Sequence, residues 1–366
     1  MHNFESALAR ARDGEKIDRQ DICALLAATP EESRELFSAA DRSRREHVGD
    51  EVHLRAIIEF SNYCRKNCLY CGLRRDNSSI QRYRLSEQEI LEAVKTAGEL
   101  GFRTVVLQSG EDLFYDAKTI ARLIEAIKKR HDLAVTLSLG ERDRNEYKDW
   151  REAGADRYLL KQETANEHLF STIKPDGSLQ QRVQCLQWLK DLGYQTGSGN
   201  MVGLPGQTLT TLAADICLMR ELDVEMAGIG PFLPHHATPL KDAAPGELSL
   251  TLKTLAVTRL CLPQAHLPST TSLCTLAPDG RQLALKCGAN VIMPNLTPSG
   301  VRDKYLIYPQ KADIIEQPEA ALNSIQALLN ELARPLAQDH GHAKKYPEGD
   351  LTNGNQAGNH ARRFYQ

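Results

Sequence analysis

The sequence predicts an α/β fold, a closed (βα)8 barrel of the TIM type with a helical extension before it and a helix after it. Three observations carry this. Eight short runs rich in β-branched and apolar residues occur from about residue 52 onward. Helical segments separate successive runs, the pattern of a parallel sheet. The eight units fill about 250 residues, the size of one barrel. An open doubly wound sheet is the competing arrangement.

Residues 1–50 read as charged helices. Thr29-Pro30-Glu31-Glu32 offers an N-cap threonine, a proline at the first helical position and a glutamate to complete a capping box. The first strand is expected over 53–60, and Ser86 and Glu89 open a helix that ends before Gly101. Further strands are expected at 104–107, 133–139, 157–160, 195–202 and 226–230, a weaker seventh at 266–271 and an eighth at 289–293. Helices are expected between them at 116–130, 143–153, 166–173, 178–192, 208–222, 249–262 and 279–286, and a closing helix at 313–332. Past Pro335 the chain turns polar, so 337–366 reads as a solvated, disordered tail whose His340, His342 and His360 are not assigned a metal. The expected units are an extension at 1–50, a barrel at 51–310, a closing helix at 311–336 and the tail.

Of the 366 residues, 41% are apolar and 25% charged, enough for one large core. A net charge of −3 offers no basic field for nucleic acid or an anionic membrane. No apolar run reaches the roughly 20 residues of a membrane span. The first residues lack the basic start and apolar stretch of a secretory signal, so the cytoplasm is expected.

Nine cysteines, an odd number, argue against a disulfide framework. Six are scattered and read as buried thiols. The other three lie in Cys64-Arg65-Lys66-Asn67-Cys68-Leu69-Tyr70-Cys71, a C-x3-C-x2-C spacing. Soft thiolates this close favour an iron–sulfur cluster or zinc. Structural zinc takes four ligands, usually in pairs, and no second pair occurs at finger spacing. Three ligands to a four-iron cubane leave one iron open to a chelating substrate. The motif follows the first strand, at the barrel end where active sites sit.

Residues 59–77 resemble the HydE family of [FeFe]-hydrogenase maturases, members of the biotin-synthase-like group of radical S-adenosylmethionine (SAM) enzymes. The likeness continues through Gln108-Ser109-Gly110-Glu111-Asp112, residues 136–141, 155–160 and 163–166, and Met201-Val202-Gly203-Leu204-Pro205-Gly206-Gln207-Thr208. Residues 228–232 and 287–295 complete it. The resemblance implies one [4Fe–4S] cluster on Cys64, Cys68 and Cys71, and cleavage of SAM to methionine and a 5′-deoxyadenosyl radical. By position it places Tyr70 near the adenine, Ser109, Gly110 and Glu111 at the SAM amino group, Glu163 near the ribose or sulfonium end, Arg182 at the carboxylate, and Met201 and Leu204 beside the adenine. Gln108, Thr136, Ser138, Arg157, Thr270, Thr271, Tyr305 and Tyr308 are expected to line the substrate cavity.

The implied role is assembly of the hydrogenase active-site cluster, on a small anionic iron–cysteine carbonyl/cyanide complex. Implied partners are the other maturases, including a GTPase scaffold, and an electron donor such as ferredoxin or flavodoxin. Two departures stand out. Residues 305–330 hold no cysteine, so the second cluster of some relatives is not expected there. Lys161-Gln162 stands where the family pattern has Arg-His. Rival readings are a lysine mutase making 3-methylornithine on the same scaffold, a non-catalytic iron–sulfur carrier and a zinc-stabilised module.

Overall fold

The computed structural model describes residues 3–311 and 317–344. Three helices, α1 (Phe4–Arg12), α2 (Arg19–Leu26) and α3 (Pro30–Val48), precede the first strands, β1 (His53–Leu54) and β2 (Ala56–Ser61). The capping box forms at α3: Thr29 Oγ1 accepts from Glu32 N at 3.3 Å, and Thr29 N donates to the Glu32 carboxylate at 2.7 Å. Strands β2, β3 (Thr104–Ser109), β4 (Ala134–Ser138), β5 (Arg157–Leu159), β6 (Gln195–Val202) and β7 (Met226–Pro231) pair in that order, all parallel. The intervening helices are α4 (Glu87–Glu99), α5 (Ala117–Arg130), α6 (Arg144–Glu152), α7 (Glu167–Ile173), α8 (Leu179–Asp191) and α9 (Leu209–Glu221). After β7 come α10 (Leu248–Cys261), α11 (Thr271–Leu276), α12 (Gly280–Lys286), β8 (Val291–Ile292), α13 (Ser299–Arg302) and α14 (Pro318–Glu331).

The sheet closes on itself. β8 pairs with β1, and Ile57 of β2 bridges Asn295 just beyond β8. The expected seventh strand at 266–271 is not a strand. It makes two isolated bridges, Met226 to His266 and Pro268 to Val291. Pro268 has no N–H to offer a ladder, and Thr270 caps α11, so Thr271 is helical. The eighth run shrinks to two residues ahead of Pro294. The beginning of the expected closing helix, 313–316, lies outside the described residues, and the helix itself is Pro318–Glu331.

Alternation along the strands sorts their side chains. Arg55, Ile57 and Glu59, Val106 and Gln108, and Leu159, Lys161 and Glu163 face the barrel interior. Their neighbours Ala56, Ile58, Phe60, Val105, Leu107, Tyr158 and Leu160 pack outward into the core beneath α4, α5, α6 and α8. A second core joins Leu8, Ile22 and Leu36 of the extension to Leu212, Ile216 and Leu255 of α9 and α10, so the extension is packed into the barrel wall.

Residues 337–344 are ordered, which corrects the solvated-tail expectation for them; residues 345–366, with His360, lie outside the described residues. The segment crosses the barrel floor. His340 O accepts from Arg157 Nη2 at 2.6 Å and from Thr104 Oγ1 at 2.9 Å. His342 Nδ1 accepts from Gln195 Nε2 at 2.7 Å and from Arg157 Nη2 at 3.0 Å. Burial, then Arg157, hold the His342 imidazole down at about 4, which keeps it neutral and able to accept.

Ending the chain after Leu336 removes the acceptors of Arg157 Nη2 and Gln195 Nε2, at ~1–3 kcal/mol for each group. That variant is expected to lose about 3 kcal/mol or more in urea unfolding. A chain ending at Lys344 keeps these bonds and is the control; equal stability of the two would refute the floor contact.

Candidate functional site

The cysteine loop follows β2 and sits on the C-terminal rim of the barrel, tied to its neighbours by main-chain bonds. Arg65 N donates to Glu111 O at 3.0 Å, Leu69 N to Ile173 O at 2.9 Å and Gly72 N to Ile307 O at 3.0 Å. Arg82 clasps the loop from inside, donating to the carbonyls of Asn62, Leu73 and Arg74. The loop after β3 approaches so closely that a Cβ on Gly110 would lie 2.1 Å from Tyr63 O and 2.9 Å from Cys64 Cβ. Glycine is therefore required at that position.

All three thiols are free. Burial, then the neighbouring Cys68 and Cys64, push the Cys71 thiol well above its ordinary value. Two N–H donors already address sulfur: Glu111 N to Cys64 Sγ and Lys174 Nζ to Cys68 Sγ, each at 3.4 Å. Among the described residues no three Cys, His, Asp or Glu side chains close on one point as a single-ion site does. A cubane takes each thiolate on a different iron and needs no such convergence. Thiols on one loop, with donors to their sulfurs, fit a cluster.

A buried charge network flanks the cysteines. Arg182 Nε meets Glu141 at 2.8 Å, Lys66 Nζ meets Glu141 at 2.9 Å, and Glu111 lies 3.3 Å from Arg65 and 3.9 Å from both Lys66 and Arg182. Burial alone would raise the Glu141 carboxyl, but Arg182 and Lys66 outweigh it and hold the group down at about 2. Gly140, at φ +76°, makes the turn; a Cβ there would fall 1.9 Å from Glu111 Cγ.

Below the loop lies a cavity of about 250 Å³. Tyr70 and Glu163 form its upper wall, with Tyr70 Oη donating to Glu163 Oε1 at 3.3 Å and Lys161 Nζ 3.3 Å from Glu163 Oε2. Glu163 holds φ +66°, a left-handed conformation that costs a non-glycine residue ~1–3 kcal/mol and marks functional sites. Parallel bridging to Asn200 keeps it there. The lower wall carries Arg55, His266 and Met226, and the side wall the buried pair Lys311–Glu59. Thr136 Oγ1 is buried on the cavity wall with no protein partner, an orphan hydroxyl suited to a ligand.

The structure brings together most of the expected residues. Tyr70, Gln108, Thr136, Glu163, Met201, Thr270, Thr271 and Tyr308 line the cavity. Tyr305 stands behind Gln108 and hydrogen-bonds it. Ser109 and Gly110 are buried in the β3–α5 turn, with Ser109 Oγ donating to Gly110 O at 2.6 Å, while Leu204 packs behind Met201. Ser138, in register with Gln108 on β4, is not on the wall. Arg157 is a correction: it starts β5, at the opposite end, and its guanidinium serves the floor segment. The Lys161-Gln162 departure also resolves. Lys161 keeps a cation on the cavity wall, while Gln162 points away and donates to Asp215 O at 2.9 Å. Sequence reasoning gave no site role to Arg55, Glu59, Lys66, Glu141, Lys174 or Lys311. A signal existed for two of them, since Arg55 and Glu59 are charges on one face of a strand buried on both sides.

The closed barrel with three cysteines in its first loop defines a radical SAM enzyme. The family model for the Radical SAM superfamily matches residues 58–216, and the superfamily works with a [4Fe–4S] cluster and SAM. A solved structure of methylornithine synthase (PylB) superposes with a TM-score of 0.79 at 27% identity, over 91% of this chain and 98% of that one. The 3-methylornithine synthase of Methanosarcina barkeri is 31% identical over 81% of this chain and 85% of its own. The [FeFe] hydrogenase maturase subunit HydE of Thermotoga maritima is 51% identical over 85% of this chain and 89% of its own. The chain belongs to the HydE family. Among the described residues no helix is long and apolar enough to cross a membrane.

Because the folded-state Glu141 value lies below its ordinary 4.5, the carboxylate stabilises the fold above about pH 4.5, and that contribution fades as pH falls toward 2. Glu141→Gln is expected to lose roughly 3 kcal/mol at neutral pH and to flatten the acid limb of stability. Urea unfolding of the cluster-free protein from neutral pH downward measures both; an unaltered acid limb would show that the network does not hold this carboxylate.

Proposed function

We propose that this chain acts in maturation of [FeFe]-hydrogenase, holding one [4Fe–4S] cluster on Cys64, Cys68 and Cys71 and working on a small anionic iron–cysteine carbonyl/cyanide complex in the barrel. One observation carries the reading. The cysteine loop's own Tyr70 forms the roof of the cavity whose walls bear Arg55, Lys161 and Lys311, so cofactor and substrate ends share one enclosure. When bound, the cluster supplies the electron that splits the SAM sulfonium bond, giving methionine and a 5′-deoxyadenosyl radical.

The chain's own groups then have these tasks. The Glu111 carboxylate receives the SAM ammonium by a charge-assisted hydrogen bond, and Arg182, buried between Glu111 and Glu141, receives the carboxylate. Glu163 takes the ribose hydroxyls, and Tyr70 and Met201 flank the adenine. Leu204 braces Met201, and Ser109 and Gly110 shape the turn. Gln108, Thr136, Thr270, Thr271 and Tyr308 grasp the substrate, with Tyr305 orienting Gln108 from behind. The enclosed barrel excludes water from a reactive radical. The place of action is the cytoplasm, with the other maturases, a GTPase scaffold among them, as partners.

The test is anaerobic reconstitution with iron and sulfide, followed by dithionite and SAM. Wild type is expected to form 5′-deoxyadenosine and Cys68→Ser none. Glu111→Gln and Gly140→Ala are expected to raise the KM for SAM by about tenfold or more, the loss of one charge-assisted bond. Turnover of the iron–cysteine complex supports maturation, whereas turnover of lysine would replace it with the mutase reading. A brown protein that forms no 5′-deoxyadenosine would be a carrier.

A further inference from the structure

Asp215, on α9, is fully buried, and the side chains and main chain that meet its carboxylate are all neutral. Thr164 Oγ1 and Ala165 N donate to its Oδ1 at 3.0 and 2.6 Å. Asn200 Nδ2 and Gln207 Nε2 donate to its Oδ2 at 3.0 and 3.4 Å. Burial pushes the carboxyl up to about 6, and these hydrogen bonds pull against it, so at neutral pH the group is ionised with no cation as partner. A buried charge without a counter-charge destabilises a fold. Asp215 does not line the cavity, so the charge meets no ligand directly.

The donors come from two segments that both reach the cavity. Thr164 and Ala165 directly follow Glu163, which holds the left-handed φ of +66°. Asn200 directly precedes Met201 near the end of β6. Gln207 closes the loop after β6: its Nε2 also donates to Met201 O at 2.9 Å, and its Oε1 accepts from Gly203 N at 2.7 Å and Leu204 N at 3.2 Å. Main-chain bonds join the two segments as far as Glu163, whose N donates to Gly199 O and whose O accepts from Met201 N, each at 2.9 Å. Past Glu163 the chain leaves the ladder, and Thr164 and Ala165 are tied to Asp215 instead. An ionised carboxylate only accepts, through two oxygens, so it can gather donors from both segments. An amide of the same shape would turn its NH2 toward half of them.

We propose that Asp215 is a positioning residue for SAM: from behind the barrel wall its carboxylate ties the loop after β5 to the end of β6, and so holds Glu163 in its strained conformation beside Met201. The inference rests on the reading of Glu163 and Met201 as SAM contacts. A strained residue persists only where its surroundings over-determine it. Here the main-chain bonds fix one side of Glu163, and the carboxylate fixes the other. Without that second tie the chain at Glu163 can relax toward ordinary backbone angles, which moves its side chain off the ribose. A displacement of about 1 Å at a binding group can cost roughly a hundredfold in rate, so supporting groups of this kind decide how well a site works.

The test uses the full reconstituted protein, with SAM affinity read from the change SAM makes in the paramagnetic resonance spectrum of the dithionite-reduced cluster. Asp215→Asn is expected to bind SAM about tenfold or more weakly. Its iron content and its spectrum without SAM should match wild type, and 5′-deoxyadenosine formation at saturating SAM should stay within about threefold. The double variant Asp215→Asn, Glu163→Gln is expected to bind SAM at most about threefold more weakly than Glu163→Gln alone, because residues acting through one another are not additive. Losses that multiply in the double variant overturn the proposal. So does unchanged SAM affinity in Asp215→Asn, or a spectrum altered before SAM is added, which would make the carboxylate a support of the cysteine loop and the fold at large. Should Asp215→Asn not fold, Thr164→Val removes one donor and decides alone: binding weaker by about threefold or more supports the role, and wild-type affinity overturns it. Glu163→Gln with wild-type affinity strikes the reading of the site, whereas a weakened Glu163→Gln beside a normal Asp215→Asn strikes the positioning role alone.

Discussion

An irregular loop has to hold three thiols still, and it has neither helix nor strand with which to do so. Its backbone groups must find partners elsewhere, and they find them in the loop after β3, on the end of α7 and on the segment after α13. Charge finishes the task. Glu111 and Glu141, from the ends of neighbouring strands, face Arg182 from α8 and Lys66 from the loop itself. Three buried charges, with the partly buried Lys66 beside them, are tolerated only as a mutually neutralising set, because each buried one alone would face a desolvation cost of several kcal/mol. The cysteine positions therefore follow from the barrel register, and the glycines at 110 and 140 follow from how tightly the strand-end loops must approach.

The barrel interior divides along its axis. Near the cysteines the wall carries Tyr70, Glu163 and Lys161, groups that can address a charged, sugar-bearing ligand. Deeper, Val106, Val291, Met226 and Met293 make an apolar lining, interrupted by Thr136, Arg55 and the Lys311–Glu59 pair. Sparse polar groups in an apolar chamber fix orientation without solvating what they hold, the usual balance of small-molecule sites.

Much of this was legible in the sequence, and the exceptions have physical causes. Strands β2, β3 and β4 could be read because each is a largely apolar run followed by turn residues, and Cys64, Cys68 and Cys71 because thiols at that spacing have few other uses. Residues 266–271 misled because Leu267 and the two threonines resemble a strand, whereas Pro268 breaks the ladder and Thr270 caps a helix. Residues 337–344 misled more instructively. Their polarity suggested solvation, yet buried Arg157 and Gln195 need polar partners, and the histidines and carbonyls of this segment supply them. The resemblance implies a cavity position for Arg157, but it sits at the start of β5 and its guanidinium turns to the floor segment. Glu141 was visible in the motif, but its pairing with Arg182 required the fold.

The floor contact also has a direction in time. Arg55 donates to Gly341 O, a partner 286 residues further along the chain, and β1 pairs with β8. A ribosome adding ~5–20 residues per second needs about 15 to 60 s to cover that distance. Throughout this interval the strand that leads into the cysteine loop has been made, while one of its edges and the base of the barrel have not. The nascent protein is thus an unclosed cylinder whose thiols are made early but whose loop waits for its ties to Ile173 and Ile307, and the seam is completed only when its distant half emerges.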